Sequence, residues 1–231
     1  MKKIMFPFLS VALMVGCRFV ENGVVVPFNV RSRDKIPAEK IKVVNEKESK
    51  LFENKLVTFS SVPTTVFKKC RLFFVCEPRS FNPFYIAVPS GSDVALMLTG
   101  NMVFINEIIK NENFKLADTK NAQIKELLKY VFDFNKYGIM YIVNSKNDLI
   151  YNAKLEKDIK RKAEVEKRLG EVIKPMSIAR EGDKAIVEFY FVDYQDIVKR
   201  TVTMNQDGTL DPKSIKDEVV GKGLAPWHRG F

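Results

Sequence analysis

Few residues in this chain of 231 could do chemistry, and they are scattered. There are three cysteines (Cys17, Cys70 and Cys76), a single histidine, His228, and a single tryptophan, Trp227. A thiolate serves as nucleophile, metal ligand or attachment point according to its neighbours. Cys70 and Cys76 bracket Arg71-Leu72-Phe73-Phe74-Val75, which reads as a strand. Six steps of extended chain span ~20 Å, whereas a disulfide needs Cα atoms within ~7 Å. Either the run is not a regular strand or both thiols are free; free, buried thiols are expected. No CxxC is present, and one histidine does not make a zinc site, so no metal is assigned. His228 lies in the C-terminal stretch, poorly placed for a Ser-His-Asp triad. The patterns G-x-S-x-G, G-x-G-x-x-G, Walker A and H-E-x-x-H are absent. Asp207-Gly208 lacks the ligand ladder of a calcium loop. The chain is expected not to be an enzyme and to carry no cofactor.

Binding candidates are aromatic. Glu77–Gly91 is punctuated by Pro78, Pro83 and Pro89 and carries Arg79, Phe81, Phe84 and Tyr85. It reads either as a surface strip for a partner, glycan or small ligand, or as a loop whose rings plug the core. In the second reading, which is preferred, Phe84–Val88 is one more strand. Trp227 stands in Val219–Phe231, a Gly- and Pro-rich end that closes on Pro226–Phe231. That end either docks into a neighbouring subunit or is a disordered or self-packed tail.

The remaining chemical signal is at the N-terminus. Lys2 and Lys3 precede an uncharged run from Ile4 to Gly16, and the small Gly16 stands before Cys17. A positive region, a short apolar stretch and a small residue at the cut make a secretory signal. The run is shorter than the ~20 residues of a membrane span. Met14-Val15-Gly16-Cys17 resembles the lipobox of bacterial lipoproteins, departing from the commonest form at Met14, where Leu is usual, and at Val15, where a smaller residue is. The resemblance covers these seventeen residues alone. It implies that Cys17 becomes the first mature residue, bearing a diacylglyceryl thioether and an N-acyl group such as palmitate. Arg18, standing where an inner-membrane retention Asp often does, points to the outer membrane, with the body facing the periplasm. The competing reading is a cytoplasmic domain with the N-terminus buried in it.

Removing Met1–Gly16 leaves 215 residues and lowers the formal charge from +10 to +8, because Lys2 and Lys3 leave with it. At 46% hydrophobic and 29% charged, the chain is rich enough to bury a core. The positive balance suits an anionic neighbour, but acids are interspersed with bases, and a solvated surface is expected. The partners expected are the membrane, through the lipid, and an envelope protein or a second copy of the chain; nucleic acid is not expected. A soluble nucleic-acid-binding protein and a periplasmic small-ligand binder are the alternatives to a structural or accessory envelope component.

The elements predicted around these residues are α+β, an antiparallel meander with two or more helices on one side. A signal at 1–16 leads into a tether at 17–36, in which Val24–Phe28 is a strand demoted to an edge by Pro27. An α+β unit follows at 37–150, with a short helix opened by Asn45, strands over Leu56–Phe59 and Thr64–Cys76, and a turn at Gly100-Asn101. Asp118–Phe134 is the clearest helix, capped by Asp118 or Thr119, with Ile124, Leu127, Leu128, Val131 and Phe132 at i, i+3, i+4, i+7 and i+8. A second unit, 151–212, starts with a cationic helix over Asn152–Val172, capped by Asn152, with Leu155, Ile159, Ala163 and Leu169 as its stripe. Strands over Met176–Arg180, Lys184–Val192 and Ile197–Met204 complete it, and this helix is expected to cover Ala185, Val187, Phe189 and Phe191. A flexible tail is expected over 213–231.

Overall fold

The computed structural model describes residues 58–76, 84–92, 94–133, 140–149, 155 and 157–225, with the strand backbones of Arg18–Glu21, Val24–Pro27 and Ile41–Lys42. The fold is α+β.

An unbroken apolar run such as Leu72-Phe73-Phe74-Val75 suits a strand covered on both faces. It lies in the first sheet, where β4 (Thr58–Val62), β5 (Cys70–Cys76), β6 (Phe84–Pro89) and β7 (Ala95–Met97) pair antiparallel. A short β3 (Ile41–Lys42) adds parallel to β7, so the order is β3-β7-β6-β5-β4. Leu72, Phe74, Tyr85, Ala87 and Leu96 face the main core. Phe59, Phe73, Val75, Phe84, Ile86, Val88, Ala95 and Met97 form a second core on the other face. The predicted strand at Leu56–Phe59 is displaced: β4 takes in Ser60, Ser61 and Val62, and Thr64–Lys69 lies outside any strand. Thr64 breaks the ladder because its hydroxyl accepts from the N–H groups of Val66 and Phe67, an ST-turn that competes with extended pairing. The expected tether holds a hairpin, β1 (Arg18–Glu21) on β2 (Val24–Pro27), with Pro27 at its end. The helix expected from Asn45 lies outside the described residues.

Two helices follow. α1 (Met102–Glu112) begins where Asn101 accepts the Phe104 N–H, and it buries Ile105, Ile108 and Ile109. α2 (Asn121–Phe132) buries all five predicted stripe residues and Tyr130. Its start is later than predicted. Leu116–Asp118 is a 3₁₀ turn, and the Thr119 hydroxyl is engaged with the Lys115 carbonyl at 2.7 Å, so Lys120 is the N-cap. α2 ties the two sheets together. The Tyr130 ring lies 5.0 Å from Tyr85, and the Phe132 ring lies 5.4 Å from Phe189.

The second sheet is the predicted meander with two more strands. β10 (Lys184–Asp193) pairs with β11 (Asp196–Met204) along its whole length; β8 (Met140–Val143) and β9 (Ser177–Glu181) share its other side. β12 (Leu210–Gly221) pairs with β11 and occupies the edge, so the tail expected over 213–231 is strand as far as Gly221. One core cluster runs from Val66 through α1 and α2 to Leu210, with members on both sides of the boundary expected near residue 150.

α3 (Ile159–Val172) carries two copies of a seven-residue pattern, Lys160-Arg161…Glu164-Val165 and Lys167-Arg168…Glu171-Val172. Its cap is Asp158, which accepts the Arg161 N–H at 3.1 Å, rather than Asn152, which lies outside the described residues. The predicted stripe fails at Ile159, 80% exposed, and at exposed Ala163. The buried seam is Leu169 and Ile173 with Val165 and Val172 beside them, at i, i+4, i+7 and i+8 from Val165. This seam packs on Tyr190, Val192 and Ile197, the opposite face of β10 and β11 from Ala185, Val187, Phe189 and Phe191. Those four share a core cluster with residues of α1 and α2, and the Phe132 ring of α2 meets Phe189. So α1 and α2 share a core with one face of the second sheet, and the α3 seam packs with the other.

Candidate functional site

Among the described residues the strongest polar constructions are built around carboxylates. Glu126, on α2, accepts four hydrogen bonds. Oε1 takes them from the Thr64 hydroxyl at 2.8 Å, the Thr65 N–H at 3.0 Å and the Tyr130 hydroxyl at 2.5 Å. Oε2 takes one from the Thr65 hydroxyl. Burial pushes its pKa up, but the hydrogen bonds from Thr65, Tyr130 and Thr64 outweigh that and hold it below the usual value. Gln123 reinforces the joint by donating to the Thr65 carbonyl at 3.1 Å. The helix thus clamps the loop that enters β5. A carboxylate so fully engaged has little basicity left for proton transfer.

Asp133, at the C-cap of α2, is the contrasting case. It is buried, and its Oδ1 accepts the Ile142 N–H at 2.8 Å, pinning the end of α2 to β8. Burial raises its pKa to about 6, with the Ile142 hydrogen bond and the Lys129 charge pulling the other way. A carboxyl near neutrality is a feature of catalytic sites. Here its surroundings are core: Phe132 and Val131 precede it, and the residue after its partner is the buried Val143.

Two further constructions are structural. Glu112, at the end of α1, accepts the N–H groups of Lys68 at 3.0 Å and Lys69 at 2.6 Å. Beside it the Cys70 thiol is free, and burial together with the Glu112 charge pushes its pKa up to about 12. A thiol held protonated is a poor nucleophile and a poor metal ligand. Arg200 forks onto Asp217 through Nε at 2.7 Å and Nη2 at 2.6 Å, while its guanidinium lies 4.7 Å from the Phe191 ring centre and 5.1 Å from that of Phe132. That arrangement lids the core with a cation–π contact.

The predicted site residues do not converge. Phe84 and Tyr85, each 3% exposed, belong to opposite faces of the first sheet and are core residues, in line with the preferred reading of Phe84–Val88 as a strand and not with a surface binding strip. The reason is the pleat: β6 is central between β5 and β7, so successive rings point into the two cores. Cys17, Arg79, Phe81 and Trp227 lie outside the described residues, and so does the side chain of Cys76. Cys70 and Cys76 stand at the two ends of β5, opposite Pro89 and Thr58, as the strand reading required. Sequence reasoning passed over Glu126 and Asp133. Glu126 had a faint signal, an acid one turn before Tyr130 in an otherwise apolar helix face.

Among the described residues no group of three or more His, Cys, Asp or Glu side chains could hold a metal ion, and no helix is long and apolar enough to cross a membrane. No family model matches the chain, and no curated protein or solved structure is similar to it.

Proposed function

We propose that this is a lipid-anchored protein of the bacterial cell envelope, fastened through Cys17 to the outer membrane. Its body would be a structural or accessory component in the periplasm. One observation carries the reading: the leader Met1–Gly16, with Lys2 and Lys3 ahead of an uncharged run, ends in Met14-Val15-Gly16-Cys17. The thioether-linked diacylglycerol and the amide-linked chain would hold it there, since each buried CH₂ contributes about 0.8 kcal/mol and more than one chain makes attachment stable. The first described strand begins at Arg18, so the fold would start directly behind the anchor. The engaged state of Glu126 and the protonated state of the Cys70 thiol support a structural role over a catalytic one.

The test is intact-mass and N-terminal peptide mass spectrometry of protein isolated from membranes, alongside labelling with a clickable palmitate analogue. The expected mature chain begins at Cys17 with the mass of three acyl chains, and Cys17→Ser abolishes both labelling and membrane fractionation. A mature chain that retains Met1 and an unmodified Cys17 refutes the proposal.

A further inference from the structure

Among the described residues the second sheet ends in an unpaired edge. β12 is its outermost strand, and among the described residues no strand pairs with its outer side. Both ends of that edge are sealed. At one end the Asn106 side chain imitates a neighbouring strand, donating to the Leu210 carbonyl at 2.8 Å and accepting the Leu210 N–H at 2.8 Å. At the other, the chain turns after Gly221, where Gly223 donates to Asp196 at 2.7 Å. Between them Lys216, Asp217, Glu218 and Val219 are exposed on both faces of the strand. Val219 is 55% exposed, and among the described residues few large apolar side chains are left so open.

The direction of the backbone groups follows from β11. The Thr203 N–H faces β12, where the Ser214 hydroxyl accepts it at 2.7 Å. Alternation then turns Thr201 and Lys199 toward β12 as well, so their partners Lys216 and Glu218 point inward. Asp217, opposite Arg200, therefore turns its N–H and carbonyl outward, and by the same alternation so do Ile215 and Val219.

We propose that this edge joins a second copy of the chain, β12 against β12 in antiparallel register about a twofold axis at Asp217. The sequence is self-complementary about that point. Lys216 falls opposite the partner's Glu218 on one face, and Ile215 opposite the partner's Val219 on the other, each pair occurring twice by symmetry. Asp217 meets its own copy, but each is already held by its Arg200, which supplies the opposing charge. The outward N–H and carbonyl groups of Ile215, Asp217 and Val219 find partners, and the two sheets become one. A charged edge ordinarily repels other strands; here the charges are placed so that one partner, the same strand reversed, satisfies them. The inference stands independently of the lipid anchor.

The experiment is sedimentation velocity on the full chain carrying Cys17→Ser, from low micromolar to several hundred micromolar, with hydrogen exchange read at Asp217 and Val219. A concentration-dependent dimer is expected, with those two amides protected only in the dimer. Lys216→Glu places like charges together at two symmetric pairs and weakens association by about tenfold or more. The double variant Lys216→Glu/Glu218→Lys swaps the charges and restores association. Val219→Pro removes an outward N–H without breaking the β11 ladder, and it gives a monomer with an unchanged circular dichroism spectrum. A wild-type chain monomeric throughout the range overturns the proposal, as does a dimer indifferent to Lys216→Glu and Val219→Pro.

Discussion

Asp133 makes the stability of this protein depend on pH in an unusual direction. Its carboxyl titrates at about 6 in the folded chain, against 3.8 for an ordinary aspartate. The native state therefore holds a proton that the unfolded state has released between those two values. Stability falls as pH rises wherever the native state binds more protons, so this group contributes its full share below about pH 4 and loses it by about pH 7. A difference of about two pH units corresponds to about 3 kcal/mol. Asp133→Asn keeps an oxygen for the Ile142 N–H and removes the titration. Urea unfolding of both proteins from pH 4 to pH 7 checks this. The difference between them should shift in favour of the variant by up to about 3 kcal/mol across that window, which at a slope of about 2 kcal/mol per molar is a midpoint shift of about 1.5 M. Every other titratable group is common to both proteins and cancels in the difference. Any fixed effect of the amide on packing also cancels, because the slope with pH is the observable. A difference that is flat from pH 4 to 7, or that moves in favour of the wild type, refutes the reasoning.

Glu126 behaves in the opposite sense. Its folded pKa is lowered, so its contribution is present above the unfolded value of 4.5 and is lost as pH falls through the folded one. Glu126→Gln should destabilise by about 1–2 kcal/mol at neutral pH, because the new NH₂ faces donors, and the gap to the wild type should close in acid urea titrations. Two glycines separate backbone from packing. Gly91 and Gly208 have φ of +78° and +79°, but a Cβ on Gly91 meets open space, whereas one on Gly208 would lie 2.2 Å from Cδ1 of Phe114. Gly91→Ala should cost about 1 kcal/mol for the left-handed backbone alone, and Gly208→Ala at least about 1 kcal/mol more, read as melting temperatures.

The parts of the fold that were legible in the sequence are those whose apolar residues repeat with a local period. α2 shows all five of its stripe residues at helical spacing, and they are buried because a face that wide has to be covered. Ala185, Val187, Phe189 and Phe191 alternate, and they share a face for the same reason. α3 misled because Leu155 and Ile159, spaced as a stripe, precede or open the regular helix, while its true seam rests on Val165, Leu169, Val172 and Ile173. Choosing between the two needed the position of Asp158, whose carboxylate accepts the Arg161 N–H and fixes where the turn begins. The β1–β2 hairpin had a readable sign in Asn22-Gly23, the dipeptide most favourable to a two-residue connection between strands.

β12 had no such sign, and the reason bears on its role. Its apolar residues, Leu210, Ile215, Val219 and Val220, keep neither a period of two nor one of 3.6, because the register against β11 slips between Thr201 and Thr203 and again near Val198. Pro212 and three acids further disguise it as loop. What makes it a strand lies on its neighbour. Arg200 forks onto Asp217, Lys199 stands opposite Glu218, and the Ser214 hydroxyl takes the Thr203 N–H. Each contact joins residues more than ten positions apart, so no local window contains both halves. Between Lys216 and Val219 the strand is specified from one side alone, which keeps its other side there free to be specified by something else. The symmetry of Lys216 and Glu218 about Asp217 is the one pattern in β12 that its pairing with β11 does not use.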